Sequence, residues 1–164
     1  MDESAAHEHG KVCALNGLLY ACGGRDASYT RLSSVEVFNP ALAAWSAVAP
    51  MPAARYSACA AALGGRVYVC GGWPVTETMV SYDPAADVWR EEPSMHYMRY
   101  SHAVASVDGL LYVSGGYGKL AGSDDNCAAL SSAEVFVPAT GVWTLLPAMP
   151  ESRRWHALVH AGKA

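Results

Sequence analysis

A pair of glycines closing a short apolar run occurs three times in this chain, and that recurrence limits the possible folds more than any other feature. The stretches are Gly17-Leu18-Leu19-Tyr20-Ala21-Cys22-Gly23-Gly24, Gly65-Arg66-Val67-Tyr68-Val69-Cys70-Gly71-Gly72 and Gly109-Leu110-Leu111-Tyr112-Val113-Ser114-Gly115-Gly116. Self-similarity of this kind marks repeat architectures, in which one supersecondary unit cannot bury its apolar face without a neighbour. From Phe38, Tyr82 and Phe136 it is 7 residues to Trp45, Trp89 and Trp143, 6 more to Met51, Met95 and Met149, and a further 4 to Arg55, Arg99 and Arg153. From Arg55 and Arg99 it is 16 residues to Gly71 and Gly115, so 33 positions carry no insertion or deletion. All length variation falls between the second glycine and the next aromatic: 14 residues from Gly24 to Phe38, 10 from Gly72 to Tyr82 and 20 from Gly116 to Phe136. The unit is a rigid frame with one free loop.

Turn chemistry supplies the secondary structure. Asn16-Gly17, Gly64-Gly65 and Asp108-Gly109 stand between the first two apolar runs of each repeat, and such dipeptides populate the positive dihedrals of two-residue hairpin turns. The flanking runs therefore pair as antiparallel strands, near 56–62 and 66–70 in the middle repeat. A third strand ends at Asn39-Pro40, Asp83-Pro84 or Val137-Pro138, because proline cannot continue a ladder. A fourth begins near each Trp. No segment has a helical period, and the chain reads as all-β. The paired glycines let backbone bend or approach a neighbour closely. Each Trp fills the gap between adjacent sheets, and its indole N–H needs a partner.

Gly-Gly, then an aromatic, then a Trp, at a period of 44 to 54, resembles the kelch repeat, from about His7 to Ala161. The resemblance implies a β-propeller whose repeats are four-stranded blades around a central channel. The expected fold is a partial kelch propeller of three four-stranded antiparallel blades, with repeats at about 7–54, 55–98 and 99–152. One extra first strand, Arg154 to His160, would open a fourth repeat at 153–164. Propellers close with four to eight blades, so the remaining blades are expected from a longer parent chain, with a second copy of this chain as the alternative.

Composition narrows the partners. The formal charge is −4, with no basic run, which argues against a nucleic-acid footprint of clustered Lys and Arg. The start, Met1-Asp2-Glu3-Ser4, is acidic where a signal peptide needs a positive region, and no apolar run approaches a membrane span. No membrane partner and a cytoplasmic location are expected. Five cysteines, an odd number without Cys-x-x-Cys, agree. Cys22 and Cys70 sit in one register and read as small core residues; Cys127 lies in the free loop.

In an up-and-down meander the variable loop and the Met-x-x-x-Arg linker share one face, and variable loops on a rigid scaffold are where binding resides. The loops bring Arg25, Tyr29, Trp73 and Tyr117 to that face. The linkers bring Arg55, Tyr97, Arg99, Tyr100, Arg153, Arg154 and Trp155. Exposed Tyr, Trp and Arg are the side chains that anchor interfaces. Because Arg55, Arg99 and Arg153 recur in register, a structural role such as bonding loop carbonyls competes with partner contact. Tyr97, Met98, Arg154 and Trp155 fall outside the repeat; Trp155 stands where the other linkers have Ser57 and Ser101.

Catalytic signals are thin, and neither an enzyme nor a cofactor is expected. Gly116-x-Gly118-x-x-Ala121 mimics a dinucleotide fingerprint, but no strand-helix-strand unit surrounds it. His102 and His156 share a register on first strands and read as channel-facing or satisfied core histidines, since no third ligand joins them at metal spacing. Segments such as Ser33-Ser34-Val35-Glu36-Val37-Phe38-Asn39-Pro40 resemble the kelch-like group. That resemblance implies a propeller that holds a protein substrate for a cullin-based ubiquitin ligase, in some members through linker arginines gripping acidic motifs. The expected function is recognition of another protein. An actin-binding scaffold and, last, a propeller enzyme such as a copper oxidase or sugar isomerase are the alternatives.

Overall fold

Asn16 and Gly17 have φ of 52° and 77°, Gly64 and Gly65 57° and 77°, and Asp108 and Gly109 49° and 79°. These paired positive values belong to the tight hairpin turn whose twist matches that of its strands. In the computed structural model, which describes residues 10–159, each dipeptide joins the first two strands of a blade. The first blade comprises β1 (Lys11–Leu15), β2 (Leu18–Cys22), β3 (Val35–Asn39) and β4 (Ala44–Val48). The second comprises β5 (Cys59–Leu63), β6 (Arg66–Cys70), β7 (Met79–Asp83) and β8 (Val88–Glu92). β9 (Tyr97–Tyr100) lies in the linker that follows. The third blade uses β10 (Ala103–Val107) and β11 (Leu110–Ser114), then, after β12 (Tyr117–Leu120) and β13 (Ala128–Ala129), β14 (Ala133–Val137) and β15 (Val142–Leu146). Each blade is an antiparallel meander in chain order.

The seven-residue aromatic-to-Trp spacing has a direct cause. Phe38 pairs with Trp45, Tyr82 with Trp89 and Phe136 with Trp143 across the last hairpin of each blade, and their rings lie 5.1–5.2 Å apart. Trp89 and Trp143 then reach the preceding blade. The indole Nε1–H of Trp89 donates to the carbonyl of Ala49, and that of Trp143 to the carbonyl of Pro93, both at 2.8 Å. Two apolar clusters fill the junctions. Tyr20, Val35, Val37 and Met51 meet Val67, Val69, Val80 and Tyr82 between blades one and two. Tyr68, Cys70, Met79 and Met95 meet Leu111, Val113, Phe136 and Trp143 between blades two and three. Cys22 and Cys70 are buried as expected, and burial pushes both thiols up.

Two local expectations change. The first strand of the middle blade starts at Cys59 rather than 56, because Ser57 has φ 52° and breaks the extended run. Residues 154–159 form no ladder. They do take the place of a fourth first strand: Trp155 N–H donates to Ser101 O as Ser101 N–H donates to Ser57 O, both at 2.8 Å. In each blade the first strand pairs with the second alone, and no second strand for this segment lies among the described residues. Residues 7–9 and 160–164, assigned to the outer repeats, fall outside the described residues. No helix among the described residues is long and apolar enough to cross a membrane.

Candidate protein-recognition face

The variable loops and linkers share one face because hydrogen bonds stitch each Gly-Gly to the linker entering the next blade. Gly24 N–H donates to Arg55 O at 3.0 Å, Gly72 N–H to Arg99 O at 2.9 Å and Gly116 N–H to Arg153 O at 2.7 Å. The first glycine of each pair must lack a side chain. A Cβ at Gly71, where φ is 57°, would run into the Arg99 carbonyl and come within 2.9 Å of His102 Cε1.

This stitching aligns two series of side chains. Arg25, Trp73 and Tyr117 follow the three Gly-Gly pairs; Tyr56, Tyr100 and Arg154 follow the three linker arginines. Members of the two series meet in every blade. The Arg25 guanidinium lies 3.4 Å from the centre of the Tyr56 ring. Trp73 meets Tyr100 edge-on at 5.5 Å, and the Arg154 guanidinium sits 5.6 Å from Tyr117. Links between blades continue the line: Tyr56 and Trp73 form a backbone bridge, and Tyr100 and Tyr117 rings lie 5.6 Å apart. The result is a ladder of two stacked groups, Arg25–Tyr56 and Trp73–Tyr100–Tyr117–Arg154, joined by the Tyr56–Trp73 backbone bridge, with a guanidinium at each end. Arg–aromatic and aromatic–aromatic contacts of this kind contribute about 0.5–1.5 kcal/mol each and hold their rings in fixed orientation. Burial, then the neighbouring Tyr117, raises the Tyr100 hydroxyl above its usual value, so it stays a neutral donor.

Around the ladder stand three exposed aromatic or cationic groups. Tyr29 is 70% exposed at the tip of the first loop, on a turn fixed by Asp26 Oδ1, which accepts from Ser28 N–H at 2.9 Å and Thr30 N–H at 2.8 Å. Trp155, also 70% exposed, lies 4.9 Å from the Arg154 guanidinium. Arg153 is exposed and pairs with Glu151 at 3.2 Å. Tyr97 is half-buried, with the Arg99 guanidinium 5.3 Å from its ring. A cleft of about 390 Å³ is lined by Ala53, Ala54, Arg55, Pro74, Val75, Thr76 and Thr78.

Arg55 and Arg99 are buried beneath this surface, Arg55 at the floor of the cleft, which corrects their assignment as exposed contact residues. Arg55 is 5% exposed and donates from Nη1 to Gly71 O at 3.0 Å. Arg99 is fully buried and donates from Nη1 to Gly115 O at 2.6 Å, and from Nη2 to Ser132 Oγ at 3.0 Å and Glu134 Oε1 at 2.7 Å. The carbonyl-bonding role is the one observed, sixteen residues downstream in both cases. Burial lowers both guanidinium groups from their usual value; for Arg99 the Glu134 carboxylate opposes that shift. Glu134 also accepts from His96 N–H at 2.7 Å and Tyr97 N–H at 3.2 Å, and thereby fixes β9.

The linker Met51 to Tyr56 falls on this face as the meander predicts, and Tyr56, the register equivalent of Tyr100, joins the contact residues named from the sequence. Two features of the face escaped sequence reasoning. Glu134 had no local signal, because its partners sit 35 to 38 residues away on the linker. The small sheet β13-β12-β9 binds the third loop to its linker, and there Gly118 faces Arg99 with no room for a Cβ beside Met98 O. This explains the glycine that mimicked a dinucleotide fingerprint.

Both histidines line the open cavity between the first strands, with Lys11, Cys59 and Val104, in keeping with the channel-facing alternative. His102 is 2% exposed and neither ring nitrogen has a hydrogen-bond partner among the described residues. Burial, reinforced by Arg99, holds it well below the ordinary histidine value and therefore neutral. His156 Nε2 lies 3.0 Å from Ser114 Oγ.

Residues 9–52, 54–96 and 98–150 match the kelch motif. The chain belongs to the kelch family. Kelch repeats imply protein–protein interaction. Among similar proteins, Kelch-like protein 35 of Mus musculus is 47% identical over 62 residues, 38% of this chain and 11% of that protein. Kelch-like protein 33 of Homo sapiens is 44% identical over 61 residues, 37% and 11% respectively. Beta-scruin of Limulus polyphemus is 33% identical over 92 residues, 50% and 10% respectively. The chain thus spans about a tenth of these relatives. The solved structure of YjhT shares the fold, with a TM-score of 0.72 at 18% identity, covering 88% of this kelch chain and 52% of that one.

Proposed function

We propose that the chain is a binding module, not an enzyme, whose protein partner lies across the loop face. The contacts would be the ladder of Arg25, Tyr56, Trp73, Tyr100, Tyr117 and Arg154, with Tyr29, Tyr97, Arg153 and Trp155 around it. The observation that carries this reading is the line of aromatic and guanidinium groups on three consecutive blades: Arg25 on Tyr56, a backbone bridge from Tyr56 to Trp73, and ring contacts from Trp73 through Tyr100 and Tyr117 to Arg154. Such groups concentrate binding energy, and rings already held by one another lose little freedom when a partner arrives. In its finer form, the module presents a protein substrate to a cullin-based ubiquitin ligase in the cytoplasm, as the kelch-like resemblance implies. Adaptor activity would then need a cullin-recruiting segment in addition to these blades.

The test is affinity capture from cell extract with quantitative identification, comparing wild type with Trp73→Ala and Arg154→Ala on the loop face and Leu42→Ser and Thr140→Ala on the opposite face. A partner lost at least tenfold in both loop-face variants and retained in the other two supports the proposal. A partner that ignores the loop-face changes refutes it. Capture of actin filaments with the same variant pattern would assign the face to a cytoskeletal scaffold.

A further inference from the structure

Blade two, which is flanked on both sides, carries a row of sulfur that its neighbours lack. Cys59 pairs with Cys70, and Cys70 with Met79, across β5, β6 and β7. Direct cross-strand partners point to one side of a sheet, with Cβ atoms about 4.5–5.5 Å apart. The same row reads Lys11, Cys22, Val35 in blade one and Ala103, Ser114, Ala133 in blade three, so the repeat does not demand it. The row faces blade three: Cys59 Sγ–H donates to His102 O at 2.7 Å, and Cys70 and Met79 pack in the junction cluster with Met95. All three sulfur residues are 5% exposed or less. A counter-ion is missing from the same place. The strand position that Glu134 fills beside Arg99 is Val80 beside Arg55. Arg55 donates to Gly71 O, Thr78 O and Thr78 Oγ1, has no carboxylate partner among the described residues, and keeps a buried Nε without any acceptor. Gly71 follows Cys70 directly. Burial and then Cys59 push the Cys70 thiol up, while Arg55 and Arg99 oppose that shift.

We propose that Cys59 and Cys70, with the thioether of Met79, form a site for a soft monovalent metal ion, Cu(I), on the inner strands of blade two. This goes beyond the loop-face reading and is independent of what binds there. Metal–sulfur bonds of about 2.3 Å put two sulfurs on one ion within about 4.6 Å of each other, a spacing that a cross-strand pair provides. Thiolate and thioether donors select Cu(I). A four-coordinate Zn(II) site is not on offer, since no three His, Cys, Asp or Glu side chains group around a metal position among the described residues. On loading, Cu(I) bonds to Cys59 Sγ and Cys70 Sγ and two thiol protons leave to solvent; no electron moves. The resulting bis-thiolate complex of a monovalent ion carries one negative charge, the counter-ion that Arg55 lacks. Cys59 lines the open cavity between the first strands, with Lys11, His102 and His156, and that wall gives the ion its way in. The bound ion ties β5, β6 and β7 together just before Gly71-Gly72, from which Trp73 reaches the ladder.

The experiment is anaerobic titration of the full chain with Cu(I) against the chelator bicinchoninate, followed by copper X-ray absorption and thermal melting of the loaded protein. The expected result is one Cu(I) retained per chain, an all-sulfur copper shell, and a melting temperature that rises on loading, because the ion prefers the folded row to dispersed cysteines. Cys59→Ala and Cys70→Ser, which give the row the residues blade three has in the same register, should each abolish retention. Met79→Leu should weaken it, and Cys13→Ala with Cys127→Ala should leave it unchanged. If either row variant fails to fold, the copper shell and the melt of the wild-type chain decide. No retention against the chelator, a copper shell dominated by nitrogen, a melting temperature that loading leaves unchanged or lowers, or equal retention by a folded row variant would overturn the proposal.

Discussion

Three arginines in one register should give three different unfolding penalties, because the fold gives each a different partner. Arg99→Ala removes a guanidinium that is 0% exposed and leaves the Glu134 carboxylate, also 0% exposed, without its cation. Breaking a buried pair from one side costs about 3–5 kcal/mol. Arg55→Ala loses bonds to Gly71 O at 3.0 Å and Thr78 Oγ1 at 3.3 Å but strands no charge, so about 2 kcal/mol is expected, chiefly for the unpaired buried carbonyl. Arg153 is 56% exposed and its Glu151 partner 75%; a solvated pair of this kind is worth about 0.5 kcal/mol or less. Urea unfolding followed by tryptophan fluorescence separates the three. With a slope of about 2 kcal/mol per molar, the midpoints should fall by about 2 M, about 1 M and less than about 0.3 M. The cause of the largest fall is checked by a double-mutant cycle. Glu134→Gln keeps an acceptor for His96 and Tyr97 N–H, so Arg99→Met with Glu134→Gln should be milder than the sum of the singles by about 1–3 kcal/mol. An Arg99→Ala midpoint no lower than that of Arg153→Ala would refute the reasoning.

Two glycines of the same repeat should likewise part company. Gly65→Ala, at φ 77° with nothing within 4 Å of the added Cβ, should cost about 1 kcal/mol of backbone strain. Gly71→Ala meets Arg99 O and His102 Cε1 and should lower the melting temperature several-fold further. Because burial holds His102 below its ordinary value, the unfolded chain takes up its proton first as pH falls. The stability present above about pH 6.5 is then lost below it, by up to about 1.4 kcal/mol per pH unit from this group. Thermal melts from pH 7.5 to 5.5 should show that slope, and His102→Ala, which places the Ala58 side chain in the same register, should flatten it. Iodoacetamide should label Cys127, which is half-buried in a loop, well before Cys70, which is fully buried and whose thiol burial pushes up.

The blades were legible in the sequence because their determinants are local. Hairpin dipeptides fix strands one and two, prolines end strand three, and the aromatic-to-Trp spacing spans one turn. The role of the linker arginines was not. Recurrence in register told that Arg55, Arg99 and Arg153 share a backbone position, but surface or interior depends on the strand packed sixteen residues downstream and on Glu134, which no local pattern connects to Arg99. The ladder was half legible: Trp73, Tyr100 and Tyr117 stood out as aromatics, while Tyr56 and Arg25 gain their meaning once the stitching of Gly-Gly to linker places the two series side by side. The segment after Arg153 carried a first-strand pattern, and a strand requires a ladder partner that pattern cannot supply.

The most direct test of the central claim is hydrogen–deuterium exchange of the chain with and without a captured partner. Added protection confined to 25–31, 56, 73–77, 97–100, 117–129 and 153–156 is the predicted result. Protection concentrated instead at the hairpin turns 16–17, 64–65, 108–109 and 139–141 would contradict it.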